Sequence, residues 1–384
     1  MFKLYQRYLA SHFIPPFAMS LFFFVCFLLT SQLFRLMRIV TKKGVDISVL
    51  FELFGHIGMS FLPMAVPLSL LFAMIYTLNK LSEDSEIVAI RAMGINKAKL
   101  FMPFITIGVI CSVAIFGLNR NIIPYSKRLF KNTIITLTSK GFLADIKKEQ
   151  FYTDIPGVTL FAEKVSADGK VMDNVFIKLK KKGNQDKIMM AKKGVLIKDG
   201  PKDSSSLNLK LDLYEGNIIS INNDGKELEK ILFDKYEFPI VSSSSSGFVN
   251  KDSMRSSEEL SIEIVKAKAN LLKAQKAKND RDIRHYTSRY RKSTLEYWTR
   301  LNVPFQCIAF VLLGFVFGVK KGRGKAKNTS ALALVITILY YVLFFTGVSM
   351  AKKGTLPPYI VVFLPTFVVS IIGAHFYRKL DWAS

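Results

Sequence analysis

The stretch Lys80-Leu-Ser-Glu-Asp-Ser-Glu-Ile-Val-Ala-Ile-Arg-Ala-Met-Gly94 decides how this chain is read. It is a short polar segment between two long apolar ones. Ser82 suits an N-cap, and Glu83, Asp84 and Glu86 put negative charge where a helix dipole is positive. Arg91 falls near the other end, and Gly94 fits a left-handed C-cap. The spacing predicts a helix over 82–94, with Ile87 and Ile90 on one face and Val88 and Met93 beside it. A helix this short is marginal alone in water, so it docks on something. It either connects two spans at a membrane surface or offers a handle to a partner on that side. Spacing alone leaves both open.

Working outward, six apolar runs are long enough to cross a bilayer, near 13–34, 54–78, 100–120, 298–319, 330–350 and 358–377. Half of the 384 residues are hydrophobic, and the net charge is +25. The basic residues flank the apolar runs, which argues for membrane topology and anionic lipid rather than nucleic acid. With the N-terminus inside, the inner short segments carry Lys3, Arg7, Lys80, Arg91, Lys97, Lys99, the 320–327 basic run, Arg378 and Lys379. The outer loops carry Arg35, Arg38, Lys42, Lys43, Lys352 and Lys353. This bias puts both termini and the 82–94 helix in the cytoplasm and the large region 125–295 outside. The first apolar run reads as an uncleaved span, since no small-residue cleavage site follows it. Cys26, Cys111 and Cys307 lie in apolar runs and read as small buried hydrophobes, not a disulfide framework. The four histidines have no ligand spacing, so no metal site is expected. The loop Gly318-Val-Lys-Lys-Gly-Arg-Gly-Lys-Ala326 lacks the glycine spacing and the hydroxyl residue of a phosphate loop.

The middle region is a different kind of sequence. Leu207-Asn-Leu-Lys-Leu-Asp-Leu-Tyr214 alternates without a break, the period of a half-buried strand. Val175-Phe-Ile-Lys-Leu-Lys180 alternates again, and 158–165 is strand-like but less regular. Turn signals at 155–157, 167–169, 182–184, 198–201 and 222–225 separate them. Short strands at this spacing predict an antiparallel sandwich or jelly roll over about 140–240. Ser242 to Ser246 reads as a linker. Ser256 and Glu259 then form a capping box that opens a helix with Leu260, Ile264, Ala267 and Leu271 on one face. The predicted organisation is 1–124 with three spans, 125–295 as an outer domain closing in that linker and helix (241–295), and 296–384 with three spans. The lysine-rich stretch 263–292 suggests no specific role.

The 80–94 stretch, the Pro63-x3-Pro67 pair before it, Asn121-Ile-Ile-Pro124, Glu296-x3-Arg300-x3-Pro304 and Leu356-Pro-Pro358 together resemble the Lpt permease family, the LptF/LptG (YjgP/YjgQ) proteins. The resemblance covers both membrane halves. It implies a permease subunit of an ABC transporter that extracts lipopolysaccharide from the bacterial inner membrane. It further implies an LptG-like permease partner, a dimer of LptB-like ATPases that bind the ATP, an LptC-like periplasmic regulator and an LptA-like bridge. The middle domain becomes a periplasmic β-jellyroll that passes acyl chains onward. Leu36-Met-Arg-Ile39 and the Glu83-Asp-Ser-Glu86 run lean towards LptF.

Read this way, the 82–94 helix is a coupling helix in an ATPase groove, with Glu86, Asp84, Ile87 and Arg91 as contacts. A carboxylate such as Glu86 matters most when its pairing is partly desolvated. Arg35 and Arg38 sit one turn apart at the outer end of the first span, and guanidinium groups suit lipid A phosphates. Snorkelling to ordinary headgroups is the plainer alternative. Leu209 and Leu211 share the strand face expected to meet acyl chains. No catalytic constellation is present, so the chain is not expected to be an enzyme or to hold a cofactor. A non-transport scaffold presenting the β-domain for protein binding is the competing reading. An intramembrane enzyme is disfavoured for want of polar residues within the spans that could do chemistry.

Overall fold

The computed structural model describes residues 4–43, 47–145, 150–151, 158–166, 171–179, 185–199, 208–222, 227–239, 252–277, 279–319 and 327–380. The serine linker 242–246, the basic loop 320–326 and the turn signals at 155–157, 167–169 and 182–184 lie outside them. The chain groups into two compact units, 1–35 with 54–127 and 250–384, and 36–53 with 128–249.

The first unit is helical. Its elements are α1 (Leu4–Lys43), α2 (Ile47–Glu83), α3 (Glu86–Ala92), α4 (Lys97–Gly117), the start of α5 (Ile123–Asp145), α6 (Ser257–Lys276), α7 (Asp280–Gly318), α8 (Lys327–Lys353) and α9 (Pro358–Lys379), with the far ends of α1 and α5 and the first turns of α2 grouping in the other unit. Among the described residues, six helical segments are long and apolar enough to cross a membrane. α2 and α7 form the inner spine. Small residues set their approach: a Cβ added to Gly314 would lie 2.8 Å from Met74 Cβ, and one at Gly318 would lie 2.9 Å from Leu78 Cβ. Gly108 of α4 meets Val311 of α7 in the same way, at 2.9 Å. Between α4 and α5 a π-helical turn spans Leu118–Ile122. It ends just before Pro124, whose ring would crowd the carbonyl four residues back in a regular helix.

The capping box at Ser256 and Glu259 is present, with both reciprocal hydrogen bonds. The helix it opens turns back into α7, which runs without interruption through the fourth span. Leu260, Ala267 and Ala274 of α6 are buried. The sequence reading attached this helix to the outer domain, whereas by packing it groups with the spans.

Among the described residues, the second unit holds a five-stranded antiparallel sheet of β1 (Val158–Val165), β2 (Val171–Leu179), β3 (Gln185–Asp199), β4 (Asn208–Asn222) and β5 (Glu227–Pro239). An inserted all-β region is therefore present. The described strands pair in chain order, β1-β2-β3-β4-β5, each antiparallel to the next.

All five strands share a corner. Core positions step by two on either side of it but by three across it: Ala162 to Val165, Met172 to Val175, Ala191 to Gly194, Leu213 to Gly216 and Phe233 to Tyr236. Inward and outward faces thus exchange along one transverse row, Glu163, Asn174, Lys192, Glu215 and Asp234. Asn174 and Glu215 have φ of 49° and 50°, the left-handed conformation that turns a strand over. Polar pairs pin the row: Asn174 Nδ2 donates to Glu163 Oε2 at 2.6 Å, and Lys192 Nζ to Glu215 Oε2 at 2.8 Å. A Cβ at Gly216 would strike the Met190 carbonyl oxygen at 2.2 Å, so the residue after the turn must be glycine.

Candidate functional site

The helix predicted over 82–94 is α3, and it starts later than expected. Ser82 is not its N-cap. Ser82 still belongs to α2, and its hydroxyl donates back to the Leu78 carbonyl at 2.6 Å. Ser85 takes the cap position instead, in a left-handed turn with φ of 62° and no side-chain cap bond. Glu83 closes α2 and Asp84 sits in the turn, leaving Glu86 as the acidic residue of the first helical turn. The other end forms as read. Gly94 has φ of 73°, its N–H bonds the Arg91 carbonyl, and the Ile95 N–H bonds the Ile90 carbonyl. These two bonds make a Schellman cap, with Ile95 packed on the same core as Ile90.

α3 is seated by its apolar face. Ile87 is 1% exposed and Ile90 is buried, both in one cluster with Leu78, Leu81, Leu100 and Phe104. Ile87 is therefore not a surface contact, as the sequence reading had it; its burial anchors the helix. The outward apolar residues are Val88 and Met93. Arg91 is half-buried near the far end. The Glu86 carboxylate accepts a hydrogen bond from Tyr8 OH of α1 at 2.8 Å through Oε1. Asp84, Glu86, Lys80 and His12 line one cleft of about 610 Å³ between the ends of α1 and α2. The structure thus brings Asp84 and Glu86 together beside an open cleft on a firmly packed support.

The other predicted residues fall elsewhere. Arg35 and Arg38 lie on helical backbone in α1, and their side chains are outside the described residues. Leu209 pairs with Lys198 in the sheet, and its side chain is also outside them. Leu211 and Leu213 are fully buried in the sheet core. Asp212 between them is 3% exposed, its carboxylate held by Lys235 Nζ at 2.8 Å. Cys26, read as buried, is exposed on α1. Residues 14–34 of that helix include no buried position.

Two polar clusters have roles that the sequence reading did not assign. Arg300, 8% exposed, donates to the Arg255 carbonyl (2.8 Å), the Asp252 carbonyl (3.1 Å) and Glu296 Oε1 (3.1 Å). It ties the turn before α6 to the fourth span. Arg255 extends the cluster to Glu263, which also pairs with Arg289. Within the spans, Thr366 donates to Asn302 Oδ1 at 2.9 Å, Tyr340 OH lies 3.2 Å from Thr366 Oγ1, and Gln306 donates to Tyr341 OH at 3.1 Å. This network joins α7, α8 and α9. It holds no ionised group, which fits helix association rather than chemistry. The available signal was the one-turn spacing of Asn302 and Gln306.

Fold and site define a multi-pass membrane protein with an inserted β region and a seated surface helix between its second and third spans. The family model described as "Lipopolysaccharide export system permease LptF/LptG" matches residues 7–379. The chain belongs to that family, and with six helices among the described residues long and apolar enough to cross a membrane it is a multi-pass inner-membrane protein. It is also 19% identical over 193 residues to the "Uncharacterized protein RP871" of Rickettsia prowazekii (strain Madrid E), a match covering 50% of this chain and 53% of that protein. The chain spans about half the length of the curated relative it matches.

Proposed function

We propose that this chain is a permease subunit of an ATP-driven lipopolysaccharide exporter, with α3 as the element that an ATPase moves. The supporting observation is the two-sided build of α3: Ile87 and Ile90 fix it to the bundle, while Val88 and Met93 face solvent and Glu86 faces the cleft. A helix that merely joined two spans would not need two carboxylates, Asp84 and Glu86, at a cleft beside an outward apolar pair. Family membership supports lipopolysaccharide as the substrate class. The partners in this proposal are an LptG-like permease, LptB-like ATPases that hold the ATP, an LptC-like protein and an LptA-like bridge. The chain itself hydrolyses nothing. Both termini and α3 are cytoplasmic, and the sheet is periplasmic, as the charge bias favours. Arg35 and Arg38 receive lipid A phosphates, and the strand carrying Leu209 and Leu211 receives acyl chains. Glu86→Lys in the reconstituted complex tests the reading. It replaces attraction by repulsion in the ATPase groove. Insertion into the membrane should persist while lipopolysaccharide release is lost. Unchanged release and ATPase activity would contradict the proposal.

A further inference from the structure

α1 is two different helices in one. Its first turns are built into the bundle: Leu9 and Phe13 are fully buried in the cluster that holds Ile87 and Ile90. Phe13 meets Phe104 edge-on at 5.6 Å. Tyr8, its ring 4.2 Å from that of His12, donates to Glu86 at 2.8 Å. Beyond Phe13 the support thins. Met19, Phe22, Phe23, Phe27 and Phe34 are exposed. The contacts of this part run along one side only, as where Phe24 meets Phe72 at 5.1 Å.

The change of character falls on Pro15 and Pro16, both inside the helix. Two adjacent prolines remove two successive helical N–H donors and crowd the carbonyls of Ser11 and His12. The freed His12 carbonyl accepts instead from the buried hydroxyl of Thr77, at 3.4 Å. Thr77 thus satisfies it without restoring a helical bond. Kinks concentrate where the ladder is interrupted in this way.

We infer that Leu4–Ile14 moves as one piece with α3, tied by Tyr8 and Glu86, and that Pro15–Pro16 is the hinge that turns that movement into a tilt of the outer part of α1. Tyr8 is a positioning residue. It occupies Oε1 of Glu86 and leaves Oε2 for a cationic group of the ATPase, so one carboxylate joins partner and span. The outer part carries Arg35, so the tilt moves the substrate-facing end. This role in transport rests on the reading of α3 as the ATPase contact, whereas the hinge itself does not.

Distances between spin labels test the two parts separately, in a chain whose native cysteines are replaced. Labels at the exposed Leu4 and Val88 report on the proposed single piece, and labels at Val88 and Phe27 report on the tilt. For the full chain alone in nanodiscs, the Leu4–Val88 distribution should be narrow and the Val88–Phe27 distribution broad. Pro15→Ala with Pro16→Ala, which restores helix donors and folds at least as readily, should narrow the second to the width of the first. Tyr8→Phe keeps the ring and removes one hydrogen bond, raising the detached fraction of the first turns about fivefold and broadening Leu4–Val88. A Val88–Phe27 distribution as narrow in the native chain as in the proline variant overturns the hinge. An unchanged Leu4–Val88 distribution in Tyr8→Phe overturns the tie. In the complex with the ATPase, vanadate trapping should shift Val88–Phe27 and leave Leu4–Val88 in place. A shift of both overturns the single piece. A shift of neither, with the nanodisc results as expected, overturns α3 as the ATPase contact while the hinge stands.

Discussion

The spine of α2 and α7 and the flanking helices α1 and α8 are made of similar apolar residues yet packed in opposite ways. The spine buries Leu70, Leu71, Met74, Phe310 and Phe315 completely and uses glycines to bring backbones together. α8 turns Leu339, Val342, Leu343 and Phe345 outward, and α1 does the same with its phenylalanines. In a bilayer an outward leucine costs nothing, so hydrophobicity does not separate the two groups; small residues and buried polar groups do. α3 hangs on the spine through Leu78 and Leu81. A partner pressing on α3 therefore pushes against the firmest part of the molecule.

Four changes would break or sharpen this contrast. Arg300 is the most exacting, since three acceptors converge on its buried guanidinium. Arg300→Leu should cost about 3 kcal/mol, by leaving the two carbonyls and Glu296 short of donors. A fall in the thermal unfolding midpoint of the purified chain would register it, and a midpoint within error of the native one would discredit the clamp. Next, Gly314→Ala should cost about 2 kcal/mol, because the new Cβ meets Met74 and lies 3.1 Å from the Leu71 backbone oxygen. Gly55→Ala in the same kind of helix meets nothing within 4 Å and should be neutral or mildly stabilising. Equal losses at both glycines would mean that the spine is no tighter than its surroundings. Asn302→Leu removes the centre of the in-span network and should cost about 1 kcal/mol, less than its burial suggests in water. The same midpoint measures it, and a loss as large as that of Arg300→Leu would assign the network more than an adhesive role.

The smallest effect is the pH response of the sheet corner. The hydrogen bond from Lys192 holds the Glu215 carboxyl below its usual range, and the same bond raises Lys192. Their joint contribution is present at neutral pH. It is lost as pH falls through the lowered value of Glu215, and again as pH rises through the raised value of Lys192. Both groups are exposed, so salt should weaken the response. Glu215→Gln should flatten the acid limb of the sheet's unfolding profile. An identical acid limb in both proteins would remove the pair from the account.

Much of this was legible in the sequence. Long apolar runs cannot hide, and the capping box at Ser256 and the left-handed Gly94 follow from local rules. The start of α3 was not legible, because two serines three residues apart compete for one cap and the long helix before them keeps Ser82. The strand corner was invisible for a different reason. A three-residue step in one strand looks like irregularity, and only the paired register reveals that Asn174 and Glu215 turn the same row. The exposure of Cys26 and the burial of Ile87 depend on which side of a helix meets the spine, which periodicity does not give. The Arg300 clamp joins residues about 48 positions apart, beyond any local pattern.

The most direct test of the central claim is photo-crosslinking from α3 in the assembled, turning-over complex. A crosslinker at Val88 should attach to the ATPase, and one at Val342 on α8, equally exposed but on the bundle's flank, should not. If Val88 labels only lipid or this chain while transport proceeds, α3 is not the surface through which ATP hydrolysis reaches the permease.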